Sequence, residues 1–287
     1  MRIGPYTTER MLGKGGMGED YAARRDGEDA LLALKLMSGA HVAGADGRER
    51  FRRECETLCR LEHPHILQVI DYGIEGEVPY LVTEFCADRK GNPFSLETLQ
   101  RAHSDQRIDP GVLRRLFPQI CSALAYIHQH GLVHRDVKPA NVLLSENRVG
   151  AVDARLGDFG LAGLTVDPDY VWKQQWLEDD ANGEVETGFG GTYDYMSPEQ
   201  KEGKALDARS DVYSLGVMLY GLATGYDRVT FLKPIQIVPE LIVPGWIDEV
   251  VVRCVVQERA ARLENGLEVV FVLPPELRPA GVERAEG

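Results

Sequence analysis

The chain lacks what a disulfide framework needs. Its cysteines number five, an odd count, so complete pairing is excluded. Cys55 and Cys59 stand four apart on an expected helix, but no cysteine or histidine pair at zinc-like spacing accompanies them. All five read as reduced thiols of a cytosolic protein. No apolar run reaches the length of a membrane span, and the opening Met1-Arg2-Ile3-Gly4-Pro5 carries no apolar signal region. The expected location is therefore cytoplasmic, which includes being the cytosolic part of a longer, membrane-anchored protein. Positive charge is short as well. Lys and Arg total 32 against 45 Asp and Glu, a net −13 that disfavours a nucleic-acid or anionic-membrane surface. No internal repeat is present. With 287 residues, 44% of them hydrophobic and 27% charged, the chain has the make-up of an ordinary globular protein with a sizeable core, in one large domain or two lobes.

What is present is a dense polar knot, His134-Arg135-Asp136-Val137-Lys138-Pro139-Ala140-Asn141. It follows an apolar helical pattern and precedes the apolar run Val142-Leu143-Leu144. Polar groups between buried segments are costly unless they are hydrogen-bonded or do chemistry. The chemistry these side chains suit is phosphoryl transfer to a hydroxyl. A carboxylate (Asp136) can orient the hydroxyl and accept its proton, an ammonium (Lys138) can neutralise the moving phosphoryl, and an amide oxygen (Asn141) can hold Mg²⁺. Seventeen residues after Asn141 comes Asp158-Phe159-Gly160, with a second carboxylate for Mg²⁺. HRDxKxxN followed by DFG resembles a protein kinase.

Upstream, a strand expected over Tyr6–Leu12 runs into Gly13-Lys14-Gly15-Gly16-Met17-Gly18 and a returning strand. Glycines here let backbone N–H groups approach phosphates with no Cβ in the way. By itself this pattern is also compatible with a flexible hairpin. A strand follows it, not a Rossmann helix, which favours the kinase version. The segment is similar to the Leu-Gly-x-Gly-Gly-Met-Gly loop of bacterial eukaryotic-like Ser/Thr kinases. The resemblance covers about residues 6–265. It implies an α+β, bilobal fold: a small antiparallel β lobe with one helix over residues 3–86, a mainly helical lobe over 87–265, and a tail or linker over 266–287.

The resemblance also implies roles residue by residue. Lys35, in the apolar strand Leu31–Met37, would hold the α/β-phosphates of ATP and pair with Glu54. Glu54 sits on the buried Phe51–Cys55–Leu58 face of a helix expected near Arg48–Leu61. Leu12, Ala33 and Leu143 would lie beside the nucleotide. Thr83 would guard a back pocket, and backbone groups near Glu84 and Cys86 would bond the adenine edge. Asn141 and Asp158 would hold Mg²⁺. Arg135 would grip a phosphate on the segment 158–199, making Thr165, Thr187 and Thr192 regulatory candidates. His134 would be structural, Asp211 would anchor the catalytic loop, and Glu199 would pair with Arg262. Lys138 together with Thr192 is the Ser/Thr signature, so the expected substrate is a protein hydroxyl and not a small molecule. Between Asp167 and Glu186 stand seven acids and one lysine. That stretch reads either as a solvated insertion or as a docking surface for a basic partner. One position departs from the family: Asp20 replaces a valine that packs on adenine. A carboxylate there would repel phosphate and sit poorly against an apolar base. The alternative reading is therefore a pseudokinase or nucleotide-sensing scaffold with an impaired ATP site.

Overall fold

The computed structural model describes residues 1–15, 18–37, 44–147, 149–158, 192–225, 243–280 and 282. The chain divides into two units. Described residues of the first belong to Met1–Glu62 and Ile66–Ala87; those of the second belong to His63–His65, Asp88–Gly160 and Thr187–Gly287.

The first unit is one antiparallel sheet and one helix. Its strands are β1 (Arg2–Ile3), β2 (Tyr6–Gly15), β3 (Gly18–Arg25), β4 (Leu31–Met37), β5 (Val69–Glu75) and β6 (Val78–Glu84), ordered β1-β2-β3-β4-β6-β5. Helix α1 (Gly44–Cys59) packs on β5. Strand β4 shows how the period of two sorts the side chains. Leu32, Leu34 and Leu36 point into a core with Ile3, Tyr6, Ala23, Tyr80 and Val82. Ala33, Lys35 and Met37 take the other face, where Met37 meets Phe51 and Cys55 of α1. The sheet face carrying Lys35 is thus the face that receives α1. Strand β5 ends at Glu75. The reason is the tight turn at Gly76, whose φ of +63° suits a two-residue hairpin joining Glu75 to Val78.

The second unit is mainly helical. Its elements are α2 (Leu96–Arg101), α3 (Pro110–Gln129), a 3-10 turn (Pro139–Asn141), the hairpin β7 (Val142–Glu146) and β8 (Val152–Leu156), then α4 (Thr192–Tyr195), α5 (Pro198–Lys201), α6 (Ala208–Thr224), α7 (Gly245–Cys254) and α8 (Gly266–Val272). The apolar stripe Leu116, Ile120, Leu124, Ile127 on α3 is buried. Every residue of α6 from Ser210 to Thr224 is buried, the mark of a central helix surrounded by its neighbours. Gly216 of α6 lets α7 approach: a Cβ there would lie 2.5 Å from Cys254 Cβ and 2.8 Å from Val255 Cγ2. Gly216→Ala is therefore expected to lose about 1–3 kcal/mol, read as a lower urea midpoint.

The expected tail from residue 266 does not begin there. Helix α8 is capped by Asn265, whose side chain accepts from the Glu268 N–H, and it buries Val269, Val270 and Leu273. Gly266 comes so close to α3 that a Cβ would be 2.6 Å from the Ala125 nitrogen. Leu277, on a following 3-10 turn, is also buried. These residues gain their order from apolar burial against α3, and they belong to the second unit.

Candidate active site

The catalytic loop follows α3. Gly131, with φ +72°, reverses the chain after that helix without the Cβ clash another residue would meet. The loop is then held from below by one carboxylate. Asp211, in the first turn of α6 and 1% exposed, accepts from the backbone N–H of His134 (2.7 Å) and of Arg135 (2.7 Å). It also accepts from His128 Nε2 at 2.9 Å. The Gly266 N–H donates to His128 Nδ1 at 2.9 Å, so the ring proton sits on Nε2 and the imidazole donates in neutral form. A buried carboxylate with three donors is solvated by the protein itself. His134 is fully buried, donates from Nε2 to Gly157 O (2.9 Å) and accepts the Asp136 N–H on Nδ1 (3.3 Å). Both ring nitrogens are engaged, which fits its expected structural part.

Asp136 is fixed by two donors on the same oxygen. Lys138 Nζ lies 3.0 Å from Oδ2, and Asn141 Nδ2 donates to Oδ2 at 2.9 Å and to the Asp136 carbonyl at 2.7 Å. Because the Asn141 amide nitrogen is committed, its Oδ1 is the end left to act as an acceptor. The Gly157 N–H bonds Asn141 O at 2.8 Å, closing the β7–β8 hairpin, and Asp158 is the next residue. The hairpin thus delivers an amide oxygen and an exposed carboxylate from one end. Among the described residues, Asp158 (φ +55°) and Arg135 (φ +70°) are two of three non-glycine residues with left-handed backbone, an outlier that clusters at functional sites. No three His, Cys, Asp or Glu side chains gather into a metal cage among the described residues. Mg²⁺ needs no such cage, since one or two carboxylates plus phosphate oxygens suffice. Hard oxygen donors at Asn141 and Asp158 fit that ion.

Two further supports surround the loop. Gln200 donates from Nε2 to Arg135 O at 2.8 Å while its Oε1 accepts the Ser197 N–H, so one side chain caps α5 and ties it to the catalytic loop. Sequence reasoning passed over Gln200, although Ser197-x-x-Gln200 is a capping box. It likewise passed over His128. Glu199 and Arg262 form the expected pair, bidentate at 2.6 and 3.2 Å, and Ser210 Oγ donates to the same carboxylate at 2.8 Å. Arg262 also donates to Val256 O (3.0 Å) and Arg209 O (2.7 Å). Burial alone would raise the Glu199 carboxyl, but the Arg262 guanidinium and the Ser210 hydroxyl hold it down at about 2. Arg135 Nε is buried with no hydrogen-bond partner among the described residues.

The nucleotide-side residues named above, apart from Leu143, belong to the first unit. Gly18 has φ +146°, and a Cβ there would fall 1.8 Å from Leu36 O, so only glycine lets β3 lie this close to β4. Lys35 stands beside Ala33 on the α1-facing side of β4, and Glu54 is half-buried next to Cys55 on the packed side of α1. Thr83 and Glu84 end β6, and Cys86 is buried just beyond. The Glu84 N–H donates to Gln68 O at 3.1 Å, and the Glu84 carbonyl accepts from Thr83 Oγ1 at 3.1 Å. Leu12 and Leu143 are half-buried. Lys14 is exposed and pairs with Glu19 at 3.0 Å. Asp20 stands directly opposite Lys35 in the β3–β4 register. Gly16, Met17, Thr165, Thr187, the acidic stretch 167–186 and residues Phe159 and Gly160 lie outside the described residues, as does most of Val229–Pro244; Thr192 opens α4, and its side chain is not among those described. The cysteines are all free, and burial pushes the Cys121 and Cys254 thiols up, Cys254 to about 12.

A glycine-rich hairpin, a strand lysine facing a helix, and a loop with Asp, Lys and Asn locked together define the layout of a phosphoryl-transfer protein. The family model described as the protein kinase domain matches residues 6–233, and the chain belongs to the protein kinase family. It is 36% identical over 233 residues to the serine/threonine-protein kinase pkn2 of Myxococcus xanthus, covering 81% of this chain and 25% of that protein. It is 36% identical over 225 residues to PknB of Mycolicibacterium smegmatis, covering 77% of this chain and 32% of that one. The chain therefore spans about a quarter to a third of these relatives. The crystal structure of the Mycobacterium tuberculosis PknI kinase domain superimposes with a TM-score of 0.68 at 27% identity, over 95% of this chain and 96% of that one. No helix among the described residues is long and apolar enough to cross a membrane.

Proposed function

We propose that this chain is the catalytic domain of a Ser/Thr protein kinase, transferring the γ-phosphoryl group of ATP to a protein hydroxyl. The observation that carries the reading is the Asp136 carboxylate, held on Oδ2 by Lys138 at 3.0 Å and by Asn141 at 2.9 Å. Asp136 orients the serine or threonine hydroxyl and receives its proton. The hydroxyl oxygen forms the new bond to phosphorus as the bond from the γ-phosphorus to the bridging oxygen breaks, and ADP leaves. Lys138 offsets negative charge on the phosphoryl oxygens in flight. In the first unit, Lys35, oriented by Glu54, and the amides of Gly13–Gly18 hold the nucleotide phosphates. Leu12, Ala33 and Leu143 cover the base, with Thr83 and the backbone at Glu84 and Cys86 as its edge. Asn141 and Asp158 would hold Mg²⁺, which supplies neutralisation of phosphate charge when bound.

Regulation would run through Arg135 and a phosphate on Thr165, Thr187 or Thr192. The acidic stretch 167–186 would dock a basic partner. A cytoplasmic setting suits reduced, buried thiols. The test is mass spectrometry of the purified chain after Mg-ATP incubation. Phosphoserine or phosphothreonine is expected in the unmutated chain and absent in Lys35→Met, with the melting temperature little changed. An unmutated chain that gains no phosphate, alone or on basic peptides, would overturn the reading.

A further inference from the structure

The β3–β4 register places Asp20 directly across from Lys35 and Ala22 across from Ala33, all on the α1-facing side of the sheet. Glu19, Tyr21 and Ala23 take the opposite face; there Glu19 is satisfied by Lys14 (3.0 Å) and by the Tyr21 hydroxyl (2.7 Å). On its other flank Asp20 opposes Gly13, which has no side chain to offer. Lys35, in turn, opposes Leu81 on its second flank, a buried apolar residue. Directly opposed residues of antiparallel strands bring their Cβ atoms to about 4.5–5.5 Å, within reach of an ion pair. Lys35 is thus the one side chain that β2 or β4 sets directly opposite Asp20.

We propose that Asp20 is a second carboxylate partner of Lys35, so that nucleotide phosphates must displace it to bind. The inference rests on the kinase reading, in which Lys35 takes the phosphates. It replaces the expectation that Asp20 acts on adenine. Both residues are half-buried, where a pair is worth more than on an open surface. Removing the carboxylate then frees Lys35 and deletes one negative charge beside the triphosphate.

The test compares binding of ATP, ADP, AMP and adenosine to the unmutated chain, Asp20→Asn and Asp20→Val by calorimetry, with steady-state KM and kcat for ATP measured alongside. Asp20→Asn is expected to tighten ATP by about tenfold. The gain should shrink from ATP to AMP and vanish for adenosine, and it should fall mainly on KM. An equal gain for adenosine and ATP would show that Asp20 acts on the base and would overturn the proposal. So would no gain in a chain that still transfers phosphate, and that result would leave the kinase reading standing. If no variant binds any adenine nucleotide, both readings fall.

Discussion

Asp136→Asn is expected to lower autophosphorylation by about 10²–10⁴-fold, the range a positioned general base contributes. The substitution keeps the shape of the side chain and removes its charge. Lys138 loses its ion pair, and an amide cannot accept the hydroxyl proton at neutral pH. The loop itself should survive. Its backbone is held by Asp211 through the His134 and Arg135 N–H groups, and those bonds do not involve the Asp136 side chain. A rate assay paired with a thermal melt separates the two effects: the rate should collapse while the melting temperature moves little. A rate within tenfold of the unmutated chain would take the proton-accepting role away from Asp136.

The largest effect on stability is expected at Glu199. Glu199→Ala leaves Arg262 buried, with its side chain 0% exposed, and takes away its carboxylate. Breaking such a pair costs about 3–5 kcal/mol. In a chain of this size that corresponds to a fall in melting temperature of roughly 6–20 °C. Replacing both members by leucine should recover part of the loss, because no buried charge is then stranded. The same pair sets an acid limit. The Glu199 carboxyl is lowered in the folded chain from 4.5 to about 2. Its contribution is therefore fully present above about pH 4.5 and disappears as pH falls through about 2. It amounts to about 3 kcal/mol. Urea melts at pH 7 and pH 3 should differ in the unmutated chain and differ less in the double leucine variant. Equal pH sensitivity in both would remove Glu199 as the source.

The catalytic stretch was legible because its chemistry is compressed into eight consecutive residues, and the family resemblance extended it to Asp211 and the Glu199–Arg262 pair. Local periodicity likewise carried β4 and the buried stripe of α3. Other parts were out of reach for a physical reason. Gln200 acts on a carbonyl 65 residues away, and His128 is set by groups 83 and 138 residues away. Nothing in the immediate neighbourhood of either residue signals such a partner. In the sequence the α8 region reads as a tail although Asn265-x-x-Glu268 marks a helix start, because the short apolar run after it is convincing only once α3 is there to cover it.

Taken alone, the sequence supplied the proposed reaction type and its candidate residues, since a carboxylate, an ammonium and an amide in fixed order admit few chemistries. It also determined which face of β4 carries the lysine, because side chains alternate along any strand. Only the tertiary structure decided what each charge faces. The register of the β3–β4 pair set Asp20 against Lys35. Packing of α6 beneath the catalytic loop brought Asp211 to two backbone amides and a neutral imidazole. Such juxtapositions depend on how distant segments pack, and electrostatic energies of this kind fall off steeply with separation.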